Sequence, residues 1–489
     1  MRTVLALFYL IGLAAPAGAQ PDPAAGSQDH PAPGALAEYE GRYEYHGGTT
    51  LTIVAGRDML FAVIDEAKYP LRPSGRDSFV NNGGNTIPFR RAADGRVSGF
   101  DERGVFFRRL SPEVDAEAAA VVRATPRPPG PDGRPAPYVY AVPADLSDGL
   151  PVGRAVDAGL DAATVDRLVS RIVDGTYPDV HAILVHRAGR LVLEEYFYGY
   201  DHDRVHQLRS LSKSIVSALV GIGIDRGVLA GDGELVTKRL PYEQYANPDP
   251  RKDRLTLRDL LTMQSGLACD DWDRESPGNE SKVYQSEDWV KFVLDLPMVT
   301  EPGTQGRYCS GNVKVAGRIL ERAAGTPLPA FAQVHLFSPL GIRASAVTWN
   351  FTLDSSNASF SQLYLRPRDM LKIGLLFHQG GRWGDRQVIS REWVEKSTAR
   401  WSSIGDQGYG YLWWHQYVNA SMPDGPRRVD MIVATGNGGQ KIYIVPSLDL
   451  IVVMTGGKYN ASSSAMTIMA RELLPALLSQ ASGADATRE

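Results

Sequence analysis

Hydrophobic and polar positions change rhythm along this chain, and each change marks a different kind of element. From Glu38 to Leu110 apolar and polar residues alternate in short runs, EGRYEYHGGTTLTIVAGRDMLFAVID and then DSFVNNGGNTIPFRRAADGRVSGFDERGVFFRRL, cut by Gly, Asn and Asp. Period two with turn residues at these intervals predicts an antiparallel β-meander of roughly six to eight strands. Its early tyrosines, Tyr39, Tyr43 and Tyr45, belong to its core or sheet surface. Past Leu160 the period lengthens: DAATVDRLVSRIVDG repeats apolar residues at helical spacing. The stretch HAILVHRAGRLVLEEYFYGY then reads as strand, and IVSALVGIGIDRGVL, too apolar for one face alone, as a buried helix. Further on, VKVAGRILERAAG is an amphipathic helix and KIYIVPSLDLIVVMTGG a strand hairpin.

Two stretches carry neither rhythm. Residues 20–37, QPDPAAGSQDHPAPGALA, are rich in Pro, Ala and Gly and predict disorder, as does the tail 481–489. Residues 111–150 include TPRPPGPDGRPAPYVYAVP, too proline-rich for a helix or a central strand, and predict a semi-extended linker. The expected organisation is therefore a small β domain over 38–110, a linker over 111–150 and a larger domain over 151–480. At the start, MRTVLALFYLIGLAAPAGAQ has one arginine, an apolar run from Val4 to Ala15 and a small-x-small site ending at Ala19. That pattern predicts a secretory signal peptide over 1–19, cleaved after Ala19. The run is short for a bilayer anchor, so the expectation is a secreted or periplasmic protein without stable membrane insertion.

Composition narrows the chemistry. The 489 residues carry a net charge of −4, with 43% hydrophobic residues and 49 glycines, an ordinary globular balance with no basic field for nucleic acid. There is no G-x-S-x-G elbow, no H-E-x-x-H and no P-loop. His202 and His206 lie four apart in a charged loop with no third ligand nearby in sequence, so they read as solvated rather than metal-binding. No cofactor is implied.

The candidate chemistry lies at the head of the apolar helix. In Arg209-Ser210-Leu211-Ser212-Lys213-Ser214, Ser210 and Lys213 are three apart, a spacing that a helix turns onto one face. A serine alcohol needs an adjacent base, and a buried lysine amine can serve. A helix start adds free N–H groups and the positive end of the dipole. Four further motifs follow in order: LLTMQSGL at 260–267, PGTQGRYCSGN at 302–312, YGYLWW at 409–414 and GNGGQ at 436–440.

Together these motifs resemble, in order and spacing, the serine β-lactamase-related hydrolases, in the branch that holds class C β-lactamases, esterases and 6-aminohexanoate-oligomer hydrolases. The resemblance covers roughly residues 160–475 and implies an α/β (α+β) catalytic domain, an antiparallel sheet flanked by helices. The preceding β domain resembles the small barrel-like accessory domains attached to such hydrolases, where they usually follow the catalytic domain. By resemblance, Ser210 forms an acyl-enzyme and Lys213 and Tyr308 move protons, with the true base left open between them. Ser310 stands where class C enzymes carry an asparagine, and Asn437, Gly438 and Gly439 line the substrate. The main-chain N–H groups of Ser210 and Gln440 form the oxyanion hole, worth about 3–4 kcal/mol per donor. Tyr409, Tyr411, Trp413 and Trp414 read as core, with one ring at the pocket rim.

Asn437 departs from the pattern, because penicillin-processing enzymes have a cation there; this favours a small neutral ester or linear amide. The alternatives are a β-lactamase, a D-Ala-D-Ala peptidase, or a non-catalytic penicillin-binding-like sensor, which the intact Ser210, Lys213 and Tyr308 argue against. The two cysteines, Cys269 and Cys309, flank motifs that converge in the family fold, and a lone pair in an exported protein is a disulfide candidate.

Overall fold

The computed structural model of the chain describes residues 35–45, 49–102, 104–240, 244–349 and 363–479. The expected signal peptide and C-terminal tail lie outside these residues, as does the segment 20–37 up to residue 34; Ala35–Tyr39 forms a 3-10 turn. The chain divides into two compact units, one holding the chain to Thr125 together with Gly457–Ser462, the other Pro126–Gly456 and the chain from Ser463.

In the first unit the alternating runs become eight strands: β1 (Gly41–Tyr45), β2 (Thr49–Ala55), β3 (Leu60–Ile64), β4 (Ala67–Gly75), β5 (Ser78–Asn81), β6 (Thr86–Arg91), β7 (Val97–Glu102) and β8 (Val105–Ser111). Each pairs antiparallel with the next, and β1 also pairs with β8, which closes a barrel. Period two fixes what is inside: along β6, Ile87 and Phe89 are buried while Thr86, Pro88 and Arg90 face out. Tyr39, Tyr43, Phe79, Phe89 and Phe100 fill the interior with ring centroids 5.1–6.1 Å apart. Each such ring removes about 150–250 Å² from water, which is how so small a unit obtains a core. The three early tyrosines are part of it, all buried, with the Tyr43 hydroxyl donating to the Tyr39 carbonyl at 2.6 Å.

The stretch 111–150 differs from a plain linker. It begins with the helix α1 (Ala116–Arg123), capped by Asp115, whose carboxylate accepts from the Glu117 N–H at 3.0 Å. AEAAAVVR is alanine-rich and well capped, so local propensity decides in favour of helix. Ala118 packs on Val54 and Val63. From Pro126 the chain is extended but belongs to the second unit. The Tyr138 hydroxyl donates to Glu195 at 2.7 Å, Arg127 pairs with Glu195 at 2.8 Å, and Arg368 donates to the Ala144 carbonyl at 2.6 Å. Proline keeps this track extended, while its tyrosines anchor it.

The second unit opens with α2 (Ala162–Val173), β9 (Val180–Arg187), β10 (Arg190–Tyr196), β11 (His206–Gln207) and α3 (Ser212–Asp225). Small ribbons follow: β12 (Thr348–Trp349) and β13 (Leu363–Leu365) join β11, and β14 (Arg382–Trp383) pairs with β15 (Arg386–Gln387). The remaining strands are β16 (Ser402–Ile404), β17 (Gln407–Tyr409), β18 (Trp414–Met422), β19 (Gly425–Gly436), β20 (Gln440–Val445) and β21 (Leu450–Gly456). Its main sheet is antiparallel throughout, in the order β10-β9-β21-β20-β19-β18-β17-β16. Every residue of β21 is buried, so the apolar run IVVM is a central strand covered on both faces. The helix Pro367–His378 lies on β9, β20 and β21. Gly374 permits the approach, since a Cβ there would come within 2.8 Å of Ile442. Helix α3 is buried from Ser212 to Gly223 and packs against the helix Ser310–Ala324.

Candidate active site

Ser210 sits in the 3-10 turn Arg209–Leu211, directly before α3. Arg209 has φ +55°, the left-handed region, and this kink turns the chain so that Ser210 stays partly exposed while Leu211 and Lys213 are buried. One helical turn on, the Lys213 Nζ donates to the Ser210 Oγ at 2.8 Å. Burial pulls the Lys213 amine down, but its interaction with Tyr308, the charges of Glu280 and Asp271, and a hydrogen bond shared with Tyr308 outweigh it and hold the amine above its ordinary range. The Nζ also lies 5.0 Å from the centre of the Tyr308 ring. The three expected catalytic side chains are therefore together.

Tyr308 is buried and held in place through its main chain. Cys309 forms a disulfide with Cys269, with the two Cα atoms 5.4 Å apart. The Asp271 N–H donates to the Tyr308 carbonyl at 2.8 Å, and the Ser310 N–H donates to Asp271 Oδ2 at 2.7 Å. The motif LLTMQSGL supports the same loop from below: Arg307 N–H donates to the Met263 carbonyl at 2.8 Å, and Cys309 N–H to the Met263 sulfur at 3.4 Å. Gly266, at φ +76°, must be glycine, because a Cβ would fall 2.4 Å from the Thr300 carbonyl oxygen.

The strand end that carries GNGGQ reaches the nucleophile's turn. A Cβ on Gly436 would lie 2.1 Å from the Leu208 carbonyl oxygen, so only glycine lets β19 come this close. Gly438 and Gly439 follow at φ +97° and +107°. The Gln440 side chain is wholly buried and spans β20 to β21, donating to the Gly456 carbonyl at 2.8 Å and accepting from its N–H at 3.1 Å. It also donates to the Asn437 carbonyl at 3.1 Å. This side chain braces the turn, leaving only main chain for an oxyanion role. Gly438 and Gly439 are buried and Asn437 is half-buried.

Other expected residues sit differently. Ser310 is fully buried, so it faces the interior rather than an open substrate groove. His206 is buried in β11, its Nε2 2.9 Å from His181 Nδ1, because the loop that looked charged closes as a short strand against β13. Burial pushes it down to about 4, so it is neutral at pH 7. His202 remains near the surface beside Asp203. Among the described residues no group of three or more His, Cys, Asp or Glu could hold a metal ion. In YGYLWW, Tyr409, Tyr411 and Trp413 are core, and Trp414 is the ring that reaches Tyr308, at 5.6 Å between centroids.

Sequence reasoning missed three participants. Trp272 lies nearly parallel to Tyr308 at 5.7 Å and to Trp414 at 6.1 Å, forming an aromatic wall beside the phenol. Asp271, buried, and Glu280, half-buried, supply negative charge beside Lys213. The one sequence signal for Asp271 and Trp272 is the run DDWDRE at 270–275, which reads as solvated until the fold turns part of it inward; Glu280 lies outside it.

A family model described as beta-lactamase matches residues 165–471, a span that includes every residue of this constellation. A 6-aminohexanoate-dimer hydrolase of Paenarthrobacter ureafaciens is 25% identical over 293 residues, covering 56% of this chain and 71% of that protein. Esterase EstB of Burkholderia gladioli is 28% identical over 212 residues, covering 40% of this chain and 52%, about half, of the esterase. Among solved structures, a beta-lactamase/D-alanine carboxypeptidase from Yersinia pestis complexed with citrate is similar in fold, with a TM-score of 0.51 and 18% identity. It covers 67% of this chain and 100% of that one.

Proposed function

The chain belongs to the beta-lactamase family of serine hydrolases, and from that footing we propose that it is an exported enzyme cleaving a small neutral ester or linear amide through an acyl-enzyme on Ser210. The observation that carries this reading is the 2.8 Å hydrogen bond from a buried lysine to a partly exposed serine. Lys213, hydrogen-bonded to Ser210 and lying 5.0 Å from the centre of the Tyr308 ring, forms with Tyr308 the pair that moves protons. Ser210 Oγ attacks the acyl carbonyl and its proton passes to the Lys213–Tyr308 pair, which in the reactive form carries one proton fewer than ammonium plus phenol. The developing oxyanion faces the N–H groups of Ser210 and Gln440. Collapse breaks the ester or amide bond, and the departing alkoxide or amine takes the proton back. Water then attacks the acyl-enzyme by the same path in reverse, releasing the acid and restoring Ser210.

Substrate class follows from what lines the site. Asn437 offers no charge to a carboxylate, and Lys441, the next cation on the strand, is hydrogen-bonded to Thr435. The aromatic wall of Trp272 and Trp414 suits an apolar acyl or leaving group. Relatives named for an amide and for an ester fit the same class. Export rests on the first 19 residues, and the disulfide accords with an oxidising compartment.

The test is intact-mass labelling with a fluorophosphonate, alongside p-nitrophenyl acetate turnover. Wild type should take one adduct, and Ser210→Ala none, with turnover falling by about 10³-fold or more. A folded wild-type protein with neither adduct nor turnover would overturn the reading.

A further inference from the structure

The segment after LLTMQSGL runs beside the tyrosine loop and grips it at three successive positions. Asp271 N–H holds the Tyr308 carbonyl, Cys269 holds Cys309, and Asp271 Oδ2 holds the Ser310 N–H. The other carboxylate oxygen accepts from the Glu280 N–H at 3.0 Å. Asp271 is only 3% exposed, so both oxygens are committed to main chain in a dry setting.

Holding two N–H groups does not require a charge; a buried carboxylate is costly, and a neutral acceptor would cost less. The charge has something to act on. Facing it are Lys213 from α3, Lys314 from the helix Ser310–Ala324, and Glu280 and Tyr284 from the short helix Glu280–Val283 and its end, with Arg209 and Tyr308 at the margin. The Tyr284 hydroxyl donates to Glu280 at 2.6 Å, and Lys314 lies 4.4 Å over the Tyr284 ring and 4.1 Å over that of Trp289. Lys213 is the member of this group that reaches outward, to Ser210.

We propose that Asp271 is a positioning residue for the reaction: it fixes the main chain that leaves Tyr308, at the Tyr308 carbonyl and the Ser310 N–H, and sets a negative charge beside Lys213, the donor to Ser210. The proposal rests on the serine hydrolase reading above, and the two fail separately. Asp271 acts through Tyr308 and Lys213 and touches no substrate. Replacing the carboxylate by an amide takes away one of its two acceptor oxygens, which loosens the tyrosine loop, and loss of the charge makes the Lys213 ammonium easier to deprotonate.

The experiment measures kcat and KM for p-nitrophenyl acetate from pH 5 to 10 on the full chain, as wild type, Asp271→Asn and Glu280→Gln. Asp271→Asn should lower kcat about 100-fold, with KM within about threefold, and move the alkaline limb of kcat toward lower pH by about one unit. Glu280→Gln leaves the grip on Tyr308 intact. It should move the same limb in the same direction with a smaller loss of kcat. If Asp271→Asn does not fold, judged by circular dichroism, Asp271→Ser, smaller and neutral, is measured in its place against the same expected losses. A folded Asp271→Asn with wild-type kcat overturns the proposal, and so does an alkaline limb that stays put in both variants. Wild type without labelling or turnover would instead sink the hydrolase reading.

Discussion

At the scale of single residues, the site places groups where stability alone would not. Arg209 occupies a left-handed backbone conformation at a cost of about 1–2 kcal/mol, and Ser210 is presented by the kink that results. Asp271 shows the same conflict through pH. Burial, then the Glu280 charge, raises its carboxyl to about 7 against Lys213 and the Ser310 hydrogen bonds, which lower it. An acid whose folded value exceeds its unfolded value, near 4, holds its proton more tightly when folded. Its contribution is therefore most favourable below pH 4 and is lost as pH rises through 4 to 7, while its effect on Lys213 needs the ionised form. Asp271→Asn removes that titration, so the Tm of the variant relative to wild type should rise between pH 5 and pH 8, which differential scanning fluorimetry would read. Ser210 and Lys213 were legible because three residues of helix bring them together whatever surrounds them. Asp271 was not, because its partner Ser310 is 39 positions away and only the fold joins them.

At the scale of elements, the strands of the barrel were readable because a half-buried sheet writes its two faces into alternate residues. The segment 126–150 was not, because an extended chain anchored by side chains has no period of its own; Tyr138 and Arg127 find Glu195 only once β10 is in place. His206 misled for the same reason: charged neighbours hid a short strand that pairs with β13. The loop carrying Tyr308 is secured by a covalent link and by hydrogen bonds. Breaking the link in Cys309→Ser opens a loop with a sequence separation of 40, which should cost roughly 4 kcal/mol of stability in the chain-entropy model. Asp271 and Met263 still hold the loop in that variant, so kcat should fall by only about tenfold, as p-nitrophenyl acetate turnover at 25 °C would report.

At the scale of the molecule, each unit has a core of its own, aromatic rings in the barrel and aliphatic strands in the sheet. Two calorimetric transitions are expected, and reduction by dithiothreitol should lower only the one belonging to the second unit, by roughly 5 °C. A single transition moved as a whole would show that the two cores melt together. The pairing of β1 with β8 has a separate consequence. A strand at the end of a sheet is a template on which a foreign chain can grow, and a closed ring has no such end. The larger sheet ends at β16, three residues long, and at β10, which the extended track screens. The Leu191 N–H and carbonyl are taken by Pro151 and Gly153, and the Val192 carbonyl accepts from the Tyr140 hydroxyl at 2.9 Å. Among the described residues little bare ladder is left at the ends of this larger sheet to seed cross-β growth, so the folded chain should resist fibril nucleation even when concentrated.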